Sequence, residues 1–277
     1  MVELGQGKPN EWVLQKCAIE PLDHGWIVDG TIENFDEVLG AVKRLLKKTG
    51  TKTKNVAMAL PPSTVITKKM IVPAGLSDQE LEAQVEAEAN QYIPFALEEA
   101  SLDFCVVGPA ANSQGDVEVL IAATRKEKVD DRMALADAAG LKLTVMDVES
   151  YAGRMALSRL IQQLPNQGEN TTVALFDIGS QATSMQVLRD DKVLYDREQP
   201  FGSAQLLKLI VRQYGLTMEE AVIKRRNADL PDDYATSVLD PFVTNVSNEI
   251  GRALQFFFTS TQHSSVDYIM LSGEAGI

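Results

Sequence analysis

Residues 172–199, TVALFDIGSQATSMQVLRDDKVLYDREQ, predict two or three short strands folded around one glycine turn. Val173, Leu175 and the apolar or β-branched residues beyond the glycine alternate at strand spacing. Asp190-Asp191 lies between two such runs, where a hairpin turn belongs. The pattern therefore places the sequence DIGS, residues 177–180, at the tip of a strand.

A carboxylate at a strand tip, followed by a glycine, suits the binding of a magnesium-bound phosphate. Backbone amides around Gly179 would hold the phosphate oxygens, while Asp177 would orient the waters of the ion. The alternative is a plain hairpin in which Asp177 is an ordinary turn residue. DIG is short and common, so these residues alone leave both interpretations open.

Composition limits the class of protein. The chain has 277 residues, of which 45% are hydrophobic and 23% charged, and this is enough for two cores. A net charge of -13 argues against binding to nucleic acid and to an anionic membrane surface. Protein and small-molecule partners remain.

Cysteine and histidine are too sparse to predict a metal centre. Cys17 and Cys105 are the cysteines, and His24 and His263 the histidines. The two thiols fit a reducing compartment. The sequence has neither an apolar run near the roughly 20 residues that span a bilayer nor a signal peptide. We therefore expect a cytoplasmic chain without direct membrane insertion.

The first half of the chain predicts a sheet interrupted by a compact α+β unit. Residues 11–20 read as a strand, and Asn34 with Glu37 is a capping signal for a helix that Gly50 ends. The α+β unit covers about residues 51–135. It comprises strands at 56–60, 64–72, 102–107 and 117–123, a helix that a capping box at 77–80 opens, and a closing helix at 126–139.

Tyr92-Ile93-Pro94-Phe95 places three bulky apolar residues around a proline at the end of a helix. Such a group is either a plug in the core or an exposed edge that contacts a partner. The sequence leaves these two alternatives open.

The second half alternates strands and helices. A strand at 141–148 leads into a helix at 150–164, and the loop 165–170 predicts a domain boundary nearby. Helices at 204–214 and 217–226 precede a long apolar pattern over 234–260, in which Phe256, Phe257 and Phe258 indicate burial on several sides. A last strand at 266–271 runs into a glycine-rich turn, residues 272–276, which is either a second ligand loop or a plain surface turn.

Four separated blocks resemble the PilM family of type IV pilus assembly proteins, within the actin-like ATPase superfamily. They are LPPSTVITKKM at 60–70, YIPFALEEASLDF at 92–104, YDREQPFGSAQL at 195–206 and RALQFFFTS at 252–260. The resemblance implies an α/β, actin-like ATPase fold of two ribonuclease H-like domains with an inserted α+β subdomain. The first domain would be 1–164, with the insertion at about 51–135 and the last strand, 265–277, near the cleft; the second would be 165–264.

The sequence departs from the family pattern at both ends. The family opens with a strand and a Ser-rich turn that supplies a first phosphate loop, and residues 1–5 correspond to the strand after it. At the other end the chain stops before an expected helix. We therefore expect a chain truncated at both ends, with its first strand and C-terminal helix missing.

The resemblance implies an ATP and Mg²⁺ site between the two domains. The implied cofactor-binding residues are Asp177, Gly179 and Ser180 of the second phosphate loop, Gly202 near the ribose, Glu220 and Lys224 beside the nucleoside, and Ser272, Gly273 and Gly276 of the adenosine loop. Asp177 would hold magnesium through water. Asp147 and Glu149 match the crossover where relatives position the attacking water, so Glu149 is the candidate catalytic residue. Glu220 and Lys224 are also spaced as an ordinary surface ion pair.

The implied function is a cytoplasmic actin-like scaffold of the type IV pilus inner-membrane complex, with a role in twitching motility. It would bind the cytoplasmic tail of PilN between the first domain and its insertion, lie at the inner membrane through such partners, and have at most slow ATPase activity. Other pilus proteins and self-association are further expected contacts. The alternatives are GspL-like type II secretion or FtsA-like cell-division scaffolds, and a phosphotransfer enzyme such as a sugar kinase.

Overall fold

A computed structural model describes residues 1–8, 11–23, 25–110, 113–190 and 192–273. The chain divides into two compact units, 1–153 and 154–277. Each unit contains its own sheets and helices, and the elements follow from the periodicity of the sequence.

The first unit pairs its strands in several small sheets. Its strands are β1 (Val2–Gln6), β2 (Trp12–Cys17), β3 (Ile27–Val28), β4 (Thr31–Ile32), β5 (Asn55–Leu60), β6 (Ile66–Pro73), β7 (Ala100–Pro109), β8 (Asp116–Arg125) and β9 (Lys142–Val148). Its helices are α1 (Phe35–Thr49), α2 (Asp78–Tyr92) and α3 (Lys126–Ala138), and α4 (Glu149–Ile161) continues into the second unit. The sheets are β1-β2, β3-β4, parallel β5-β9 and antiparallel β6-β8-β7.

Helix ends follow the capping signals with one exception. In α2 the Ser77 hydroxyl accepts from the Glu80 amide and the Glu80 carboxylate accepts from the Ser77 amide, so the predicted capping box is confirmed. Gly50 ends α1 in the left-handed conformation, with φ 59°. The predicted cap at Asn34 is wrong in one respect, because its side chain makes no capping hydrogen bond.

The inserted sheet is smaller than the predicted α+β unit. Its three strands run from Ile66 to Arg125, with α2 packed on it through Val85, which is fully buried against Val72 and Val119. The strand β5, which we predicted within this unit, pairs instead with β9. The sequence of a hydrophobic strand does not predict which strand it pairs with, since pairing is decided by packing between distant segments.

The segment after α2 is divided between core and surface. Ile93 is 8% exposed and packs with Ala89 and Ala123, as a core plug would. Tyr92 is 45% exposed, and Phe95 is half-buried with the Arg125 guanidinium 4.7 Å from its ring centroid. The core-plug interpretation therefore holds for Ile93, while contact of Tyr92 or Phe95 with a partner stays a prediction.

The second unit contains one four-stranded sheet in the order β12-β11-β10-β13. Its strands are β10 (Thr172–Ile178), β11 (Thr183–Arg189), β12 (Lys192–Gln199) and β13 (Tyr268–Gly273), and its further helices are α5 (Ala204–Tyr214), α6 (Met218–Arg226) and α7 (Asp240–Ser260). The hairpins β10-β11-β12 are antiparallel, whereas β10 and β13 run parallel. The predicted strand hairpins are confirmed as three strands.

Helix α7 covers one face of this sheet. Phe257 and Ala253 of α7 pack against Ala174, Phe176 and Met185, all of them buried. The burial on several sides that we predicted from the three consecutive phenylalanines does not extend to Phe256, which is 52% exposed. Successive helical residues diverge by about 100°, so one residue in such a run can face the core while its neighbour faces solvent.

The boundary between the units differs from the predicted one. It falls after Gly153, inside α4. The turn at 165–168 is packed on the end of that helix, where a Cβ on Gly168 would lie 2.9 Å from the Ile161 carbonyl oxygen. The last strand pairs with β10 in the second unit. The assignment of functional domains at 1–164 and 165–264 stays a prediction.

Candidate functional site

The strand tip at Asp177 lies beside the end of β13. Asp177 is opposite Ser184 on β11 and opposite Ser272 on β13. The Ser272 hydroxyl donates to Asp177 Oδ1 at 2.7 Å, and the Asp177 side chain is otherwise exposed. Two loops that the sequence analysis selected, 95 residues apart, therefore meet at one edge of the sheet.

Gly202 packs directly against the loop after β10. A Cβ on Gly202 would lie 2.3 Å from the Ser180 carbonyl oxygen and 2.6 Å from that of Gly179, so a side chain would collide with backbone. The amides of Ser203 and Ala204 donate to the Gly179 and Ser180 oxygens respectively, each at 2.9 Å. The start of α5 thus holds the loop at 179–180 in place.

Gly273 closes the other side of the cluster. Its φ is 96°, a conformation that favours glycine, and a Cβ would lie 2.3 Å from the Ile178 carbonyl oxygen. Gly276, the remaining predicted residue of this loop, lies outside the described residues. The structure therefore brings together Asp177, Gly179, Ser180, Gly202, Ser272 and Gly273.

Glu220 and Lys224 have local partners on α6. The Glu220 carboxylate accepts from the Thr217 amide at 2.8 Å in a capping box, and this hydrogen bond lowers the pKa of Glu220. Lys224 Nζ contacts Asp229 Oδ2 at 2.9 Å, so its ion pair is formed with Asp229. No contact found among the described residues joins either side chain to the Asp177 cluster, and their role beside a nucleoside stays a prediction.

Glu149 lies in the first unit, as the first residue of α4. Burial lowers the pKa of Arg132, and the carboxylate of Glu149 opposes that shift. Asp147 Oδ1 accepts from the Val148 amide at 2.7 Å. These contacts are compatible with a structural role, and the catalytic assignment of Glu149 stays a prediction.

Two acidic residues that the sequence pattern did not single out lie near the cluster. Asp196 and Glu198 of β12 lie opposite Gln186 and Ser184 of β11, on the sheet face that carries Asp177. The available signal was the pair of polar residues at alternate positions of β11, Ser184 and Gln186, and it defines a polar sheet face only once Glu198 and Asp196 are paired opposite them.

The residues at the strand tip fit a magnesium ion held through water rather than directly. Mg²⁺ keeps several waters and is commonly held by one or two carboxylates together with phosphate oxygens. Asp177 supplies an exposed carboxylate, and Gly202 and Gly273 allow the backbone segments around it to pack closely against one another. Within the described part of the chain, no group of three His, Cys, Asp or Glu side chains could ligate a metal by itself.

A separate cleft of about 760 Å³ opens at the opposite end of β10. It is lined by the end of α4, the turn before β10 and the end of β11, including Gln162, Asn170 and Arg189. Because its lining contains none of the predicted site residues, we do not assign this cleft as the candidate site, despite its volume.

No helix found in the described ranges is long and apolar enough to cross a bilayer.

The two units and their strand topology define an actin-like ATPase fold, as the sequence predicted. The model of the family described as type IV pilus assembly protein PilM matches residues 1–277. The chain belongs to this family, which confirms the resemblance.

Two solved structures illustrate the similarity. A "PilM-PilN type IV pilus biogenesis complex" is 28% identical, with 98% of this chain and 77% of that chain covered and a TM-score of 0.78. The ethanolamine utilization protein EutJ from Carboxydothermus hydrogenoformans is 13% identical, with 96% and 66% covered and a TM-score of 0.54, so it supports the fold alone.

Proposed function

We propose that this chain is a cytoplasmic scaffold of the type IV pilus inner-membrane complex that binds MgATP and the cytoplasmic tail of PilN. The observation that supports nucleotide binding is the cluster of Asp177, Gly202 and Gly273. Both glycines pack against the backbone at the end of β10 and the loop after it, and the Asp177 carboxylate beside them is exposed. A site with this composition matches a phosphate ligand at a strand end. The ion, when bound, would neutralise phosphate charge.

Each side of the cluster would have its own role in binding. The backbone around Gly179 and Ser180 would approach the phosphates, and Asp177 would accept hydrogen bonds from waters of the ion. The loop that begins at Ser272-Gly273 would approach the adenosine. Hydrolysis would be at most slow, and Glu149 is the residue that we propose to position water.

The PilN tail is proposed as a partner because the chain resembles the PilM component of a PilM-PilN complex over 98% of its length. We place the tail between the first domain and the inserted sheet. Attachment to the inner membrane would then pass through this partner. Contacts with other pilus proteins and self-association are part of the same proposal.

Calorimetric titration tests both parts. We expect a synthetic PilN tail peptide to bind the full chain, with an affinity that changes when MgATP is present. We expect MgATP itself to bind, and Asp177→Ala to weaken it. A scrambled tail peptide is the control, and a tail that binds no better than this control would contradict the scaffold proposal.

Substitutions at Ile93 and Phe95 separate stability from tail binding. Ile93→Ala should cost about 3 kcal/mol of unfolding free energy, because it leaves a cavity beside Ala89 and Ala123. Phe95→Ala should cost less, since the ring is half-buried, but it should weaken tail binding, because we place Phe95 at the tail site between the first domain and the inserted sheet. Urea unfolding and tail titration measure the two effects, and identical profiles for both variants would rule out this division.

A further inference from the structure

A row of polar side chains crosses the second unit's sheet at the phosphate-loop end. Glu198 of β12 is opposite Ser184 of β11, Ser184 is opposite Asp177 of β10, and Asp177 is opposite Ser272 of β13. Residues directly opposite one another on paired strands have their side chains on the same face. Glu198, Ser184, Asp177 and Ser272 are therefore neighbours on one sheet face.

Negative charge is concentrated on this face. Asp196 lies two residues from Glu198 and accepts from Gln186 Nε2 at 2.8 Å, while the other amide atom of this buried side chain, Oε1, has no hydrogen-bond partner. Burial raises the pKa of Asp196, and burial together with Asp196 raises that of Glu198. The charge of Arg154 acts on Asp196 in the opposite direction.

The adjacent basic residue on β12 is engaged elsewhere. Arg197 alternates to the opposite face, where its guanidinium lies 4.4 Å from the ring centroid of Phe256. Glu198 has no ion pair among those found in the described part of the chain. A carboxylate placed next to another acid favours the approach of a cation.

We infer that Glu198 is a second carboxylate of the proposed MgATP site, which acts with Asp177 to orient the waters of the ion above Ser184. The inference rests on the proposed function, since it assigns a further positioning residue to the same site. Asp177 would serve one side of the hydrated ion and Glu198 the other. The Ser184 hydroxyl, half-buried between them, would be a further hydrogen-bonding group.

Strand spacing agrees with this arrangement. Adjacent strands lie about 4.8 Å apart, so the backbones at Asp177 and Glu198 are separated by about 10 Å. Mg²⁺ holds its waters at about 2.1 Å. A charge-assisted hydrogen bond adds about 2.7 Å. Two carboxylates on opposite sides of one hydrated ion are thus about 10 Å apart at most, which the longer side chain of glutamate can meet.

The test is the Mg²⁺ dependence of ATP affinity in the full chain, measured by calorimetry with excess Mg²⁺ and with EDTA. Glu198→Gln keeps the size of the side chain and removes its charge. We expect it to lower the Mg²⁺-dependent affinity about tenfold, as loss of an outer-shell partner of a metal typically does. The ATP affinity of Glu198→Gln in EDTA should equal that of the parent, because the carboxylate of Glu198 acts on ATP only through the Mg²⁺ ion.

Two further variants control for overall charge and for side-chain length. Glu169→Gln makes the same change at an exposed residue near the opposite end of β10 and should leave affinity unchanged. Glu198→Asp keeps the charge with a shorter reach and should recover part of the loss. Thermal unfolding of every variant separates loss of binding from loss of fold.

The outcomes distinguish this inference from the proposed function. If Asp177→Asn abolishes Mg²⁺-dependent binding while Glu198→Gln matches the parent, the inference is overturned and the proposed function stands. If the parent chain binds no ATP in either condition, the proposed function fails and the inference fails with it. Equal losses for Glu198→Gln and Glu169→Gln would also overturn it, because they would indicate a general effect of charge.

Discussion

Phe257→Ala is expected to lower the free energy of unfolding by about 3–5 kcal/mol, the usual range for a fully buried phenylalanine. Phe257 is 0% exposed, and its ring lies 5.6 Å from that of Tyr195, 5.4 Å from Phe258 and 5.7 Å from His263, measured between centroids. Its removal would leave a cavity between α7 and the sheet that carries Asp177. Urea unfolding measures the loss.

Phe256→Ala is the matched control, because it removes the same side chain one position earlier. Phe256 is 52% exposed and stacks with Arg197, so its loss should cost about 1 kcal/mol or less. Similar losses for the two variants would contradict the orientation of α7 in this structure.

Gly202→Ala is expected to cost about 3 kcal/mol and to abolish measurable MgATP binding. The new methyl group would lie 2.3 Å from the Ser180 carbonyl oxygen and 2.5 Å from its carbonyl carbon. Backbone must then move, and overpacking of this kind costs about 1–3 kcal/mol. The loop at 179–180 would shift away from the amides of Ser203 and Ala204. Chemical unfolding and calorimetry measure the two effects.

Gly251→Ala is the control for replacing glycine with alanine at a position where the new methyl group causes no collision. Gly251 lies within α7, and a Cβ there would meet no atom within 4 Å. Alanine in a helix is favoured over glycine by about 0.5–1 kcal/mol, so this variant should be slightly more stable than the parent and bind nucleotide normally. If Gly202→Ala behaved like Gly251→Ala, the loop would not be held in the way we describe.

The sequence predicted elements best where the signals are local. Helix α2 begins at the capping box of Ser77 and Glu80, and Gly215 ends α5 in the left-handed conformation with φ 65°, because both signals act within one turn of helix. Pairing partners were predicted less well. The strand β5 was assigned to the wrong sheet, since its apolar pattern would suit either.

The structure brings together only part of the predicted site, for a related reason. Asp177 and Gly179 could be selected from the sequence because the chemistry of a phosphate loop is contained in one short turn. Glu198, the residue that we propose to add, could not be selected from the sequence, because its position two strands away from Asp177 is defined only by the register of the hairpins. Glu220 and Glu149 were proposed from resemblance, and their contacts in the structure are with their own helix or unit.

By itself, the sequence determined the family, the actin-like fold and the position of the glycine turn at the end of β10. The family and the fold follow from the resemblance of four blocks of residues in a defined order, and the position of the turn follows from local strand periodicity. The tertiary structure alone decided that Gly202 and Gly273 must lack side chains, that Phe257 rather than Phe256 is buried, and that Ser272 hydrogen-bonds to Asp177. Each of these depends on atoms from distant segments brought within a few ångströms, and such distances are set by packing rather than by the order of residues along the chain.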